Sequence, residues 1–424
     1  MAPKDAAKLK LVSTPEPSPT PAQTRRGRGS QSQALAIDGG TPVRKTPLPG
    51  PYPGALLIGR EEEKAVLEVL RSKSLFRYYG PNVLGKATEF EGRFAARIGT
   101  RHALATNSGT SALKCALYAI GVGPGDEVLV PAFSYVATAD VVLSLGATPV
   151  FVEIDESMTM DPNDLKAKLV ARRPKAICVV HLFGVAADLD AILAIARDAD
   201  VPVIEDCAQS CGAMYRGKTV GQFGSLAIYS FQLNKIITAG EGGAVVTDDA
   251  ALYDRAVRLH DHGNHRGNES AGEPCIGEGF RMSELNAALL LAQLGRLDDV
   301  LSRLRQAKRW LVERLADVPN LTLTRVPDPE GDSGVALTFL LDTPERTQRA
   351  VKALNAEGVR VLQQYSAKLL YQQPAVRSSK LQPVLCPRSA DLVSRQVFLG
   401  LTTTFTKRDL NDIVTAIRKV MAAI

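Results

Sequence analysis

The sequence predicts an α/β fold: a mostly parallel sheet with helices on both faces, followed by a smaller C-terminal α+β module. Two patterns carry this. Between residues 111 and 204, short β-type apolar runs alternate with helical stretches of about ten to fifteen residues, the crossover a parallel strand pair needs. Beyond Pro319 the alternation breaks down into two strands, a helix and a terminal helix. A chain of 424 residues is long enough to bury one large core and one small one.

Residues 1–33 are rich in Pro, Ser, Thr, Lys and Arg and poor in large apolar side chains, so they read as a disordered tail. The cluster Arg25, Arg26 and Arg28 is compatible with a nucleic-acid arm, but a few charges more often just solvate a terminus. Residues 34–318 read as an extended arm plus the large domain, and 319–424 as the small one. Within the large domain, Ala65, Val66, Val69 and Leu70 place a helix over 60–72. Helices over 111–120, 137–145, 162–171 and 189–199 lead into strands over 127–130, 148–152, 175–180 and 201–204. An apolar run at 224–231 is a further buried strand, 248–260 a further helix, and 282–315 a long helical stretch broken near Gly295. Strands at 321–324 and 335–340 and helices at 345–356 and 408–421 complete the small domain.

Hydrophobic residues make up 45% and charged residues 23%, ordinary for a soluble globular protein, and part of the net charge of +6 lies in the tail. No domain-wide basic field argues for nucleic acid. The six cysteines show no paired metal spacing. With no signal-peptide core and no long apolar run, the reading is a cytoplasmic protein. Three histidines and an aspartate at 260–265 could mimic a metal site, but lack a second ligand pair at zinc spacing; no metal is expected.

Three stretches carry chemistry. Lys235 lies just past the strand at 224–231, flanked by Leu233, Ile236 and Ile237 and followed by Gly240, Gly242 and Gly243. Desolvation there would lower the amine's pKa and make it a nucleophile toward carbonyls, although a lysine in a Gly-rich loop is ordinarily solvated. Asp206 ends the apolar run Val201–Ile204, at the strand's carboxyl end, where open α/β sheets place ligands and where an acid can pair with a cationic ring nitrogen. Gly109, Thr110 and Ser111 precede a helix and offer free amides and hydroxyls to a phosphate.

Cradle, aspartate and lysine, in this order and spacing, resemble the pyridoxal-phosphate (PLP) enzymes of fold type I, the aspartate-aminotransferase-like fold. Gly-Asp-Glu-Val at 125–128, the stretch from Pro131 to Ala139, Glu205-Asp206-Cys207-Ala208-Gln209, and Thr238 to Gly243 resemble the sugar aminotransferases that include the StrS and DegT proteins. The resemblance runs from about Leu35 to the end. It implies a PLP-dependent transaminase that moves an amino group from glutamate or glutamine to a keto-sugar, keto-sugar acid or keto-cyclitol. Lys235 would bind the cofactor and shuttle protons, and Asp206 would keep the ring nitrogen protonated. Gln209 would face the ring's phenolic oxygen, Tyr135 would stack on the ring, and Ser230 would join the phosphate cradle.

Relatives with histidine in place of Lys235 dehydrate sugars; a non-catalytic regulator on the same fold is a further alternative. Pro327–Ser333 and the His-rich loop resemble the branch forming 8-amino-3,8-dideoxyoctulosonate, whereas Gly39-Gly40-Thr41-Pro42 and Gln232 resemble cyclitol and aminohydroxybenzoate branches. The resemblance also implies a homodimer. Relatives usually complete the phosphate site with a partner-subunit asparagine, at the position where this chain has Gly279. Asn264, Arg266 or Asn268 would then have to cross the interface, Arg266 being favoured because a cation binds a dianion best.

Overall fold

The computed structural model describes residues 34–264 and 275–424. The expected tail, Arg266 and Asn268 lie outside them. Ala34–Ile424 forms one compact unit.

Strands β1 (His102–Thr106), β2 (Glu127–Pro131), β3 (Thr148–Val152), β4 (Ala176–Val180), β5 (Val203–Asp206), β8 (Leu226–Ser230) and β9 (Gly243–Thr247) form one sheet, ordered β1-β9-β8-β5-β4-β2-β3. The short strands β6 (Met214–Tyr215) and β7 (Lys218–Thr219) pair as a separate hairpin. From β8 through β5, β4 and β2 to β3 every pairing is parallel; β9 runs antiparallel to both of its neighbours. The mostly parallel sheet is therefore as expected.

Helices cover both faces. α2 (Lys86–Ile98), α5 (Pro162–Ala171), α6 (Leu189–Asp198), α8 (Glu284–Gly295) and α9 (Leu297–Leu315) bury residues such as Phe94, Leu165, Ile192, Leu290 and Leu304 in one core. α3 (Gly109–Ile120), α4 (Ala137–Ser144) and α7 (Ala250–His260) bury Leu117, Val142 and Leu259 in the other. α1 (Arg60–Ser72) packs on α8. The starts are marked by local chemistry: Ser108, Asp161, Asp188, Asp249 and Ser283 each accept a backbone N–H of the turn that follows, and Pro162 opens α5. The long stretch at 282–315 does break, at Arg296, between α8 and α9.

In the large domain, α2, β1, β9 and the β6–β7 hairpin escaped the sequence reading. β1 and β9 are five residues each, and Gly243 opens β9 because a side chain there would meet the Ser108 carbonyl at 2.3 Å. C-terminally, β10 (Thr322–Leu323), β11 (Ala336–Leu340) and β12 (Gln396–Gly400) form an antiparallel sheet. It packs with α10 (Pro344–Ala356) and α13 (Lys407–Ala423), while α11 (Pro374–Ser378) and α12 (Pro387–Ser394) lie between β11 and β12 in sequence. Leu337, Phe339, Val397 and Leu399 of this sheet belong to the same apolar core as α2 and α9, so the core continues from one sheet to the other.

Candidate active site

Successive residues on a strand face opposite sides of the sheet. On β5, Val203 and Cys207 join the core that contains α2, whereas Ile204 joins the core beneath α3; on β8, Ala227 and Tyr229 join the first core, Leu226 and Ile228 the second. Asp206 and Ser230 follow this alternation onto the α3 side, where Asp206 pairs in register with Ile228. Both line a cavity of about 570 Å³ at the carboxyl ends of β5 and β8.

Gly109, Thr110, Tyr135, Gln209 and Lys235 line the same cavity. Ser111 does not. Its amide is capped by the Ser108 hydroxyl at 3.1 Å, and its own hydroxyl lies 2.6 Å from Asn107 Oδ1, so it serves the turn's geometry. Gly109 is sterically required: a β-carbon would lie 2.7 Å from that of Ser230. The first turn of α3 and the Ser230 hydroxyl are thereby brought against each other, the Gly109 and Thr110 end of a helix beside a hydroxyl, which suits a phosphate.

Lys235 sits on a loop closed upon itself. Phe231 N–H donates to the Gly242 carbonyl at 2.8 Å, Ala239 N–H to the Phe231 carbonyl at 3.0 Å, and the Thr238 hydroxyl to that carbonyl at 3.0 Å. Ile236 and Ile237 anchor it in the core. Although Lys235 as a residue is half-buried, burial pushes its amine below the ordinary lysine value, with Asp206 pulling the other way. Asp206 accepts one backbone bond, from Ala208 N–H at 3.0 Å. Burial pushes its carboxyl above the ordinary value, against that bond and the charge of Lys235.

Tyr135 stands 56% exposed at the cavity rim, its ring centroid 6.1 Å from that of Tyr365. Gln209 accepts from Phe183 N–H at 3.4 Å and donates through Nε2 to the Tyr365 hydroxyl at 2.8 Å. Tyr365 and Arg360, from the C-terminal elements, and Tyr52, from the arm, also line the cavity and escaped the sequence reading. Arg360 and Tyr365 lie more than a hundred residues beyond the lysine motif and Tyr52 more than fifty before the cradle, with no local pattern to join them.

Gly279 pairs within its own chain. Its carbonyl accepts from Asn107 Nδ2 at 3.3 Å, Phe280 N–H donates to the His260 carbonyl at 2.9 Å, and Asn107 N–H donates to the Phe280 carbonyl at 2.7 Å. Residues 275–281 thus return to the edge of their own sheet. Of the substrate cues, Gln232 lines the cavity. Pro327–Ser333 does not: Asp332 binds Lys308, and Ser333 N–H donates to the Gly184 carbonyl. One group of metal-ligand type occurs among the described residues, His181, Glu205 and Cys207. Both ring nitrogens of His181 are committed there, Nδ1 accepting from Ala187 N–H at 3.1 Å and Nε2 donating to Glu205 at 3.0 Å.

Residues 57–418 match the DegT/DnrJ/EryC1/StrS aminotransferase family. The chain belongs to this family. It is 36% identical over 341 residues to GDP-perosamine synthase of Caulobacter vibrioides, covering 78% of this chain and 89% of that one. It is 42% identical over 301 residues to L-glutamine:2-deoxy-scyllo-inosose aminotransferase of Micromonospora echinospora, covering 66% and 68%. Among solved structures it is similar to 3-amino-5-hydroxybenzoic acid synthase, with a TM-score of 0.79, 30% identity and coverage of 88% and 99%. These relatives are sugar and cyclitol aminotransferases and a related synthase, and the chain is an enzyme, an aminotransferase of the same PLP-dependent family.

Proposed function

We propose that this aminotransferase binds PLP in the cavity between α3, β5 and β8, and transfers an amino group from glutamine or glutamate to a keto-sugar, keto-sugar acid or keto-cyclitol. The observation that carries the reading is the meeting of Lys235, Asp206, Gly109 and Ser230 in one cavity, with the amine pushed down and the carboxyl pushed up. These residues fit the cofactor: the α3 amino terminus and Ser230 for the phosphate, Asp206 for a cationic ring nitrogen, and a partly desolvated amine for the carbonyl carbon. When bound, the cofactor supplies an electron sink. Lys235 then holds and moves the proton at the reacting carbon, while Asp206 holds the ring nitrogen's proton by opposite charge. Tyr135, exposed at the cavity rim, would cover the ring's face.

Lysine at position 235, where dehydrating relatives carry histidine, supports transamination. The donor choice rests on the relative named for L-glutamine, and the acceptor class on relatives named for perosamine and scyllo-inosose. We read 319–424 as the small domain closing over the cavity, and the working unit as a cytoplasmic homodimer. Supporting the dimer, Leu56, Ile58, Leu67, Leu70, Leu75, Tyr79 and Val83 are all exposed within one stretch. No helix among the described residues is long and apolar enough to cross a membrane. The test is incubation with PLP, glutamine or glutamate, and a panel of keto-sugars and keto-cyclitols, read by product mass. Cofactor binding without amination of any acceptor would defeat the reading.

A further inference from the structure

The turn that carries Tyr365 has an unusual backbone. Tyr365, Ser366 and Ala367 have φ of 51°, 56° and 54° in succession, and none of them is glycine. L residues enter this region at a steric cost and ordinarily one at a time. Such a run persists only where its surroundings hold it. Both flanks are tied here: Leu362 exchanges backbone hydrogen bonds with Phe398 at 2.9 and 3.1 Å, and Leu370 N–H donates to the Ala132 carbonyl at 2.8 Å. The consequence is that a phenol from the C-terminal elements enters the cavity and meets Gln209 at 2.8 Å.

The orientation of the Gln209 amide follows from its neighbours. A backbone N–H can only donate, so the atom facing Phe183 N–H is the oxygen and the NH₂ faces Tyr365. One N–H is spent on the phenol. The other has no acceptor among the described residues, on a side chain that lines the cavity. The phenol ring is itself packed, with centroids 5.5 Å from Phe133 and 6.1 Å from Tyr135. Burial pushes the hydroxyl's pKa up, so it stays protonated and its role is constant with pH.

We propose that Tyr365 is a positioning residue for Gln209: by accepting one amide N–H, it presents the other to the phenolic oxygen of the bound cofactor. The inference rests on the PLP reading above. It gives the strained turn a task, since the C-terminal elements then help hold a cofactor bound mainly by the large sheet.

The test is titration of the apoproteins with PLP, followed by quenching of intrinsic fluorescence, for the wild type, Tyr365→Phe, Gln209→Ala and the double variant. Tyr365→Phe keeps the ring packing and should leave the apoprotein's melting temperature unchanged while weakening PLP binding about fivefold to tenfold, the scale of one hydrogen bond. In the Gln209→Ala background the same change should add less than about twofold, because its route of action is gone. Two results overturn the inference alone: tight wild-type binding unaffected by Tyr365→Phe, or effects of the two changes that multiply. A wild type that binds no PLP overturns the cofactor reading and this inference together.

Discussion

Glu205 and Asp206 are consecutive on β5, both buried, and face opposite sides of the sheet. Glu205 accepts from His181 Nε2 at 3.0 Å and from the amides of Gly221, Phe223 and Gly224 at 2.7 to 2.8 Å. Burial alone would push its carboxyl up, but the His181 hydrogen bond and these amides outweigh that and hold it below the ordinary value. Asp206 has one amide, from Ala208, and a carboxyl pushed up by burial. A buried acid whose lone pairs are filled is a structural tie. One left short of partners is a place where a cation belongs.

Predictions that break or sharpen this contrast begin with the cation on the Asp206 side. Lys235→Ala removes the amine that would bind the cofactor and move the proton, so turnover should fall by at least about a thousandfold while the fold survives. Borohydride reduction of the wild type followed by peptide mapping checks the assignment; cofactor fixed on another lysine would refute it. Asp206→Asn keeps shape but cannot balance a cationic ring nitrogen. Turnover should drop roughly a hundredfold, and the apoprotein should melt no lower than the wild type, since a neutral amide relieves a poorly partnered buried charge. Near-normal turnover would remove Asp206 from its role.

Glu205→Gln is the counterpart on the other face. Its amide nitrogen would face donors that it cannot accept, so the apoprotein should lose about 3 kcal/mol in denaturant unfolding. Affinity for PLP should stay within a few-fold of the wild type in the folded fraction. A stable variant with lost cofactor binding would reverse the roles assigned to the two acids.

The contrast also shows how far the sequence could be read. Asp206 and Lys235 were legible as candidates because strand ends are local and a parallel sheet gathers its carboxyl ends in one place, whereas Ser230 entered only through the family resemblance. The α/β class, the parallel pairings and the break near Gly295 follow from the same short-range periodicities. Glu205 stood beside Asp206 with no sign of its different task, since the partners that fill it, His181 and residues 221–224, come from other segments. Tyr365 was invisible for a further reason: Gln364-Tyr365-Ser366-Ala367 has no glycine or asparagine to announce positive φ. Ser111 was drawn into the cradle by its position in the motif, whereas the helix cap claims its hydroxyl.

The smallest predicted effect is on the pH dependence of apoprotein stability, and its sign separates the two acids. Glu205 has a folded pKa below its ordinary 4.5, so its contribution is present above that value and lost as pH falls through the folded pKa. The deficit of Glu205→Gln relative to the wild type should therefore shrink on acidification. Asp206 has a folded pKa above its ordinary 3.8, so its contribution is present below that value and lost as pH rises through the folded pKa. Asp206→Asn should gain on the wild type as pH rises. Unfolding curves of all three apoproteins from about pH 3 to pH 8, taken as differences from the wild type so that unchanged carboxylates cancel, test both signs. PLP should then invert the second one. With a cationic ring nitrogen beside it, the Asp206 carboxylate acquires the partner it lacks, and the wild type should become the more stable protein at neutral pH. If Asp206→Asn remained the more stable of the two with PLP saturating, the ring nitrogen would not be what Asp206 faces.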